Sequence, residues 1–295
     1  MRTDIFRRGD DMEIRTIGVV GGGQMGSGIA QICLMNGFQV LLSDLSEEVL
    51  KKSRARIEKG LDILVKKEKI TAGEKSTMAG SLTTTTKLSE FSACDFVVEA
   101  ATEREELKHS LFRKLDEIVP AGKILATNTS SLSITGIASA TKRPDKVVGM
   151  HFMNPAPLMK LIEIIRGLQT STETFDIVMN MARRLGKEPV PANDSPGFIA
   201  NRILIPMINE AVYVLMEGVG KAEDIDAIMR MGANHPMGPL ALADLIGLDT
   251  CLEILKVLQG ELGDPKYRPC PLLRKTVEAG YLVKKTGRGF YTYEK

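Results

Sequence analysis

A strand, a helix and a second strand follow one another within about 30 residues near the start of the chain, and this succession most constrains the fold. The β-branched run 14–20 stops at three consecutive glycines, as a buried strand does before a tight turn. Residues 24–35 carry apolar side chains at helical spacing, and the apolar run 38–43 follows. Two strands joined by a helix pair in parallel through a right-handed crossover, so the sequence predicts a parallel sheet.

The turn after the first strand carries the spacing Gly21-x-Gly23-x-x-Gly26, and Asp44 follows the second strand. In this context the glycines are typical of a Rossmann dinucleotide site. Gly21 would make the tight turn, Gly23 would let a pyrophosphate approach the backbone, and Gly26 would let the helix pack closely. Asp44 would accept hydrogen bonds from the ribose and repel a 2′-phosphate, which favours NAD over NADP. FAD, S-adenosylmethionine and a turn that binds nothing remain alternatives at this point.

Strands and helices continue to alternate as far as about Pro191, after which only helical patterns occur. In the first part, a helical hairpin is predicted at 46–69, strands at 95–100, 124–127, 147–151 and 161–165, and a helix at 103–119 with the apolar stripe Leu107, Leu111, Leu115 and Ile118. In the second part, helices are predicted at 198–217, 223–231, 240–246, 249–260 and 271–279.

We therefore expect an α/β fold with a doubly wound, mostly parallel sheet and an inserted helical hairpin, followed by an all-α domain. The predicted parts are a disordered extension over 1–13, with Met12 as a candidate start, a Rossmann domain over 14–193 and a helical domain over 194–295.

Composition excludes several classes of protein. Lys and Arg number 39 against 37 Asp and Glu, a net charge of +2 that is too balanced for a nucleic-acid-binding protein. No apolar run approaches the 18 residues of a membrane span, and residues 1–13 lack an apolar stretch, so we do not expect them to be a secretory signal. The four cysteines show no metal-ligand or disulfide spacing, so we expect no metal and a reducing cytoplasm.

Three histidines are candidates for acid–base chemistry, and His151 is the strongest. His109 is expected on a helix surface and His235 in a loop with a structural role. His151 lies at the end of a predicted strand, where open α/β sheets place ligands. Glu163 lies inside a neighbouring apolar strand and needs a buried partner. A carboxylate that holds one imidazole nitrogen makes the other a general base toward a hydroxyl, which next to a nicotinamide is alcohol dehydrogenase chemistry.

Five ordered segments carry a family resemblance: VGGGQMGSGIAQ (20–31), NTSSLSIT (128–135), HFMNPAPLMKLIEIIRG (151–167), DSPGFIANR (194–202) and KTGRGFY (285–291). With them the chain resembles the L-3-hydroxyacyl-CoA dehydrogenase family, in particular its bacterial 3-hydroxybutyryl-CoA branch. The resemblance implies NAD as cofactor, an acyl-CoA thioester as substrate, and a helical domain that binds substrate and forms a homodimer.

The resemblance also implies roles for individual residues. His151 would be the base and Glu163 its partner, while Ser130 and Asn201 would bind the reacting 3-oxygen. The remaining implied cofactor or thioester contacts are Gln24, Met25, Glu103, Lys108, Asn128, Ser130, Asn154 and Lys285. Lys67 falls where the family binds coenzyme A phosphates, whereas Gly60 replaces a serine that some relatives use there.

The hairpin region has a charge pattern that agrees with this implication. Residues 51–69 contain eight cations and three anions, a local excess of positive charge in a nearly neutral chain. Such a run is commonly a solvated helix face. The resemblance favours a phosphate site instead, with Lys66 and Lys67 as substrate contacts.

Two other functions remain as alternatives. A dehydrogenase of the hydroxyisobutyrate or 6-phosphogluconate type shares the architecture but depends on a catalytic lysine, which leaves the His151–Glu163 pair without a role. A non-catalytic relative, such as a structural or sensor protein, needs only the glycine loop and the dimer surface. The presence of Ser130, His151, Glu163 and Asn201 together favours the 3-hydroxyacyl-CoA enzyme.

Overall fold

The first strand, helix and strand form as predicted in the computed structural model, which describes residues 14–283 and 287–293. Strand β1 spans Thr16–Val20, helix α1 spans Gln24–Met35 and strand β2 spans Gln39–Ser43. β1 and β2 pair in parallel, with Gly18 opposite Leu41. The predicted extension 1–13 and the candidate Lys285 lie outside the described residues.

Eight strands form one sheet, and their order identifies the fold class. The other six are β3 (Leu82–Thr85), β4 (Phe96–Glu99), β5 (Ile124–Thr127), β6 (Val147–Phe152), β7 (Leu161–Arg166) and β8 (Glu188–Asn193). They run β3-β2-β1-β4-β5-β6-β7-β8 across the sheet, and only β6 and β7 are antiparallel neighbours. The first six follow the order of doubly wound dinucleotide-binding folds. The predicted mostly parallel Rossmann sheet is confirmed.

The helices between these strands are α2 (Glu47–Lys66), α3 (Ala72–Gly80), α4 (Glu105–Ile118), α5 (Ile134–Ser139) and α6 (Thr172–Arg184). α2 occupies the predicted hairpin region, and the second arm of the hairpin is α3, beyond the predicted end at 69. β3 was not predicted, because its sequence LTTT is short and polar and it lies at the edge of the sheet.

The apolar stripe predicted for α4 is confirmed at Leu115, which is buried, and is wrong at Leu107, while Leu111 and Ile118 are half-buried. Leu107 is exposed, while the buried face consists of Lys108, Phe112 and Leu115. Lys108 belongs to this face because its charge is paired inside the protein, an arrangement that hydrophobic periodicity cannot detect. At the start of α4 the buried position is therefore Lys108 and not Leu107.

The chain divides into two compact units, the first ending at Asp194 and the second beginning at Ser195. The second unit contains α7 (Ala200–Met216), α8 (Ala222–Gly232), α9 (Pro239–Ile246), α10 (Leu248–Leu262) and α11 (Pro271–Glu278). Over its described residues the only β-type pairing is an isolated bridge between Arg288 and Thr292. The all-α character predicted for this part is confirmed, and each unit buries an apolar core of its own.

Within the second unit, two buried aspartates bind residues 290–291. Asp244 accepts hydrogen bonds from the backbone of Phe290 and Tyr291, and Asp226 accepts one from the Tyr291 hydroxyl at 2.9 Å. Asp226 also caps the start of α9 through the N–H groups of Leu240 and Ala241. Within the ranges that the structure describes, none of the helices is long and apolar enough to cross a membrane.

Candidate active site

The candidate site lies in the first unit, at the edge of the sheet where the parallel strands end. β1 ends before Gly21, β2 before Asp44, β5 before Asn128, and β6 contains His151 next to its last residue. Carboxyl ends of parallel strands meet at one edge, and open α/β sheets bind their ligands there. Residues far apart in sequence are thereby placed in one region.

Gly21, Gly23 and Gly26, the glycines of the predicted dinucleotide site after β1, have different surroundings, and each fits its predicted role. Gly21 has φ +105°, and a Cβ there would lie 2.6 Å from the carbonyl oxygen of Ala100. A Cβ on Gly26 would collide with the carbonyl oxygen of Gly21, so the helix can approach the turn only at glycine. Gly23 faces open space, because among the described residues no atom lies within 4 Å of the point that its Cβ would occupy.

The N-terminus of α1 fits a phosphate group. Among the described residues no side chain caps this helix, and its first turn contains no acidic residue. Gly23 and Gln24 are exposed at this end. Helix N-termini present N–H groups and a positive dipole end to anions, so the residues present can hold the pyrophosphate of a dinucleotide.

Asp44 is oriented by backbone N–H groups beside the glycine loop. Its Oδ2 accepts a hydrogen bond from Gly22 N–H at 2.8 Å, and its Oδ1 accepts one from Ser46 N–H at 3.1 Å. The residue is only half-buried, so the carboxylate can still reach a ligand. Its position after β2 is that of the ribose-binding acid in dinucleotide folds.

His151 and Glu163 form the pair that the sequence predicted. β6 and β7 are antiparallel, and their register places His151 directly opposite Glu163. The His151 Nδ1 and the Glu163 Oε2 are 2.8 Å apart, and the two side chains are 8% and 3% exposed. A buried carboxylate on Nδ1 fixes the orientation and the tautomer of the imidazole, as a general base requires.

Asn128 and Asn154, both predicted cofactor contacts, hold the backbone and loop near His151. The Asn128 Oδ1 accepts a hydrogen bond from Phe152 N–H at 2.9 Å. Asn128, directly after β5, thus holds the backbone of the residue that follows His151. The Gln24 Nε2 donates to the Asn154 Oδ1 at 2.9 Å. This bond joins the start of α1 to the loop after β6, and thus two segments that the resemblance assigns to the cofactor.

Glu103 positions the segment that contains Ser130. Its Oε1 accepts a hydrogen bond from Ser130 N–H at 2.9 Å, and its Oε2 accepts one from the Thr129 hydroxyl at 2.6 Å. Ser130 follows β5 and is half-buried. The structure thus brings together two candidate residues that are separated by 27 positions in the sequence.

Lys108 was predicted to contact the cofactor or the thioester, and the structure shows its ammonium group inside the protein. Its Nζ lies 2.6 Å from the Glu99 Oε2, and both side chains are almost fully buried. The Thr127 hydroxyl donates to the same carboxylate oxygen. The direct contact remains a prediction, while the observed bonds connect α4 to the ends of β4 and β5. Glu99 itself was missed, although a carboxylate in the apolar run DFVVEA was a signal for it.

The loop after β6 has a second support that was not predicted. Lys187 is buried and donates hydrogen bonds to the carbonyl oxygens of Ala156 at 2.7 Å and Met159 at 2.8 Å. Burial lowers the pKa of this lysine below its ordinary value. The charge is neutralised by no carboxylate among the described residues, so the two carbonyl dipoles stabilise it.

The remaining candidates lie elsewhere. Lys66 and Lys67 are exposed at the end of α2, and Asn201 lies at the start of α7 in the second unit. Gly60 on α2 faces the side chain of Gln31 on α1, and any Cβ there would collide with it. The serine that the family resemblance suggests for this position therefore cannot be accommodated here without moving Gln31. His109 is half-buried and lies 3.9 Å from Glu105 on α4.

Comparison with known proteins gives a consistent result over the length of the chain. A family model described as "3-hydroxyacyl-CoA dehydrogenase, NAD binding domain" matches residues 16–195. A second, described as "3-hydroxyacyl-CoA dehydrogenase, C-terminal domain", matches residues 197–293. Together the two models match nearly all of the described residues.

Individual relatives agree with these models. A Deinococcus radiodurans protein named "Probable 3-hydroxybutyryl-CoA dehydrogenase" is 54% identical over 276 residues, 94% of this chain and 99% of its own. The 3-hydroxybutyryl-CoA dehydrogenase of Bradyrhizobium diazoefficiens is 50% identical over 280 residues, 95% of this chain and 96% of its own. The crystal structure of (S)-3-hydroxybutyryl-CoA dehydrogenase from Ralstonia eutropha matches with a TM-score of 0.92 and 50% identity, over 96% of this chain and 100% of that one. The chain belongs to the 3-hydroxyacyl-CoA dehydrogenase family.

Proposed function

We propose that the protein interconverts an L-3-hydroxyacyl-CoA and the corresponding 3-ketoacyl-CoA with NAD(H), and that 3-hydroxybutyryl-CoA and acetoacetyl-CoA are its substrates. The observation that carries this proposal is the buried His151–Glu163 hydrogen bond at the sheet edge that also holds the glycine loop. The family models and the names of the relatives support the substrate class.

In the proposed reaction the dyad moves the proton. His151 is bonded to Glu163 through Nδ1, so the proton of the substrate 3-hydroxyl passes to Nε2. The Glu163 carboxylate stabilises the imidazolium that results. The glycine loop and Asp44 would hold NAD, which would supply the acceptor for the hydride of the same carbon. In the opposite direction the imidazolium returns its proton to the carbonyl oxygen as the alcohol forms.

Other residues of the chain orient the reactants. Ser130, which Glu103 holds through its backbone N–H, would hydrogen-bond the 3-oxygen together with Asn201. The N-terminus of α1 and Asp44 would bind the pyrophosphate and the ribose of the cofactor. Holding the reacting atoms in place lowers the activation free energy, because little translational and rotational freedom remains to be lost in the transition state.

NADH oxidation with three substrates tests the proposal. We expect turnover with acetoacetyl-CoA, a chain-length profile with longer 3-ketoacyl-CoAs, and little turnover with free acetoacetate. Preferred turnover of a free hydroxy acid would indicate the hydroxyisobutyrate type of enzyme. Absence of turnover with all substrates, despite NADH binding, would indicate a non-catalytic relative and contradict the proposal.

We further propose that the protein is a homodimer in the cytoplasm. Large apolar side chains are exposed on α7 and α8 of the second unit, including Ile203, Ile228 and Met231, as expected for a subunit interface. All four cysteines are buried and free, which suits a reducing compartment. Cell fractionation tests the compartment, and recovery of the protein with secreted or membrane material would contradict it.

A further inference from the structure

Arg56, on the third turn of α2, contacts the glycine loop although no part of the proposed mechanism uses it. Its Nη1 donates hydrogen bonds to the Ser27 hydroxyl at 2.9 Å and to the Gly23 carbonyl oxygen at 3.3 Å. The Ser27 hydroxyl in turn donates to the same Gly23 carbonyl at 2.7 Å. A cation is thereby anchored beside the open glycine of the loop.

These two hydrogen bonds leave the Nε and Nη2 side of the guanidinium available to a ligand. Nη1 has two N–H groups, and the two observed acceptors account for both. The Nε and Nη2 atoms carry three more N–H groups, and across residues 14–283 and 287–293 no hydrogen bond or ion pair to them is found. Arg56 is exposed. Side-by-side Nε and Nη2 donors form the planar fork that binds two oxygens of a phosphate.

The surroundings of this fork favour an anion. Gly23 and Gln24 are exposed, and the space that a Cβ of Gly23 would occupy is open. The adjacent start of α1 has neither a capping side chain nor an acidic residue in its first turn, over the part of the chain described. A helix dipole and a fixed guanidinium thus lie side by side, with no carboxylate paired to the arginine in that part.

We propose that Arg56 is a binding residue for the diphosphate of an adenosine nucleotide ligand, which its Nε and Nη2 atoms bind beside the glycine loop. This inference rests on the proposed function, which supplies two such ligands. NADH and coenzyme A both contain an adenosine-linked diphosphate. The contact with Gly23 favours NADH, and the experiment distinguishes the two sources.

The test is the dissociation constant, Kd, of NADH with the purified full chain in the absence of any thioester, measured by NADH fluorescence. Arg56→Gln is expected to raise the Kd about tenfold, as loss of a charge-assisted hydrogen bond does. Arg56→Lys keeps the charge but lacks the planar pair of donors, so its Kd for NADH should lie between those of the wild type and of Arg56→Gln. Arg54→Gln is the matched control, because it removes the same charge from the same helix while Arg54 instead donates to the carbonyl of Leu82 on β3.

Salt dependence separates ligand binding from a merely structural role. If Arg56 binds phosphate, the Kd of the wild type rises with salt more steeply than that of Arg56→Gln, because screening weakens the charge interaction. A raised Kd with an unchanged salt slope would mean that Arg56 only stiffens the loop, and would overturn the inference.

Titration with coenzyme A alone, by calorimetry, identifies the source. A loss of coenzyme A affinity in Arg56→Gln with unchanged NADH affinity would support the inference with the thioester as ligand. Unchanged affinity for both ligands in Arg56→Gln, with both still binding the wild type, would overturn it and leave the proposed function intact. Failure of the wild type to bind either ligand would contradict the proposed function itself.

Discussion

The candidate site is built from common residue types, glycine and aspartate among them, and the surroundings of each residue determine its role. Gly21 is required by its positive φ and Gly26 by contact with the Gly21 carbonyl, whereas the space that a Cβ of Gly23 would occupy is open. Asp44 is fixed through both carboxylate oxygens by backbone N–H groups. The local backbone therefore positions both the Asp44 carboxylate and the open space at Gly23.

Asp44 is predicted to set the choice between NADH and NADPH. Its carboxylate would lie close to a 2′-phosphate, and two like charges at a partly desolvated site repel strongly. Asp44→Asn keeps the side-chain shape and removes the charge, so the kcat/KM ratio of NADPH to NADH should rise roughly 10- to 100-fold. Glu47→Gln, which removes an exposed charge three residues later, is the control. A wild type that prefers NADPH would contradict this assignment.

Some of these residues could be predicted from the sequence and others could not. The glycines and Asp44 have fixed spacing after a strand, and Glu163 was conspicuous as a carboxylate in an apolar strand. Arg56 could not be singled out, because eight cations share its region and only the packing of α2 on α1 brings one of them to Gly23. Lys187 carries no local pattern, since its acceptors are backbone carbonyls of a distant loop.

At the scale of elements, α2 has one apolar and one cationic side. Its buried residues are Leu50, Ser53, Ile57 and Leu61, spaced three or four apart as in an amphipathic helix. Ser53 donates hydrogen bonds to the carbonyls of Gly22 and Val49, so this face contacts the glycine loop directly. The exposed lysines at the end of α2 are consequently held at a fixed place relative to the loop.

Lys66 and Lys67 are predicted to bind the phosphates of coenzyme A. Replacing both by Gln should raise the KM for acetoacetyl-CoA about tenfold at low salt and leave the KM for NADH unchanged, because the charges act on a remote part of the substrate. The effect should shrink as salt screens exposed charges over about 8–10 Å.

Two controls accompany this test. Acetoacetyl-N-acetylcysteamine lacks the nucleotide, so its KM should not change, and Lys51→Gln with Lys52→Gln removes the same charge from the other end of α2. Equal losses on both thioesters would assign the lysines to folding. A loss on neither would restore the interpretation of residues 51–69 as a solvated face.

Some secondary-structure elements could be predicted from the sequence and others could not. The buried strands β1, β2, β4, β5, β6 and β7 were all predicted, because their apolar runs are dense. Leu115 was correctly placed on the buried face of α4, but Leu107 was not, because Lys108, paired with Glu99, occupies the buried position at the start of the helix. β3 was missed because an edge strand of threonines needs no apolar run.

At the scale of the whole molecule, the chain consists of two units with separate cores. The change near Ser195 was visible in the sequence, since strand and helix patterns alternate as far as about Pro191 and only helical patterns follow. The exposed apolar side chains of α7 and α8 belong to neither core. In the homodimer that we propose, the second copy of the chain would bury them.

Sedimentation is expected to give twice the chain mass of 32.2 kDa. Ile228→Asp combined with Met231→Asp should shift the protein toward the monomer, because two charges cannot be buried in an apolar interface without partners. Leu168→Asp, at a side chain 86% exposed in the first unit, is the control and should leave the mass unchanged. A monomeric wild type at micromolar concentration would contradict the homodimer.

The most direct test of the dyad is the kcat of His151→Ala and Glu163→Gln with acetoacetyl-CoA and NADH, measured beside the Kd of NADH. We predict that His151→Ala lowers kcat by about 10²–10⁴ and Glu163→Gln lowers it less, with NADH affinity unchanged in both. His109→Ala is the matched control, because His109 also lies near a glutamate but on α4. A kcat of His151→Ala equal to that of the wild type and of His109→Ala would contradict the account.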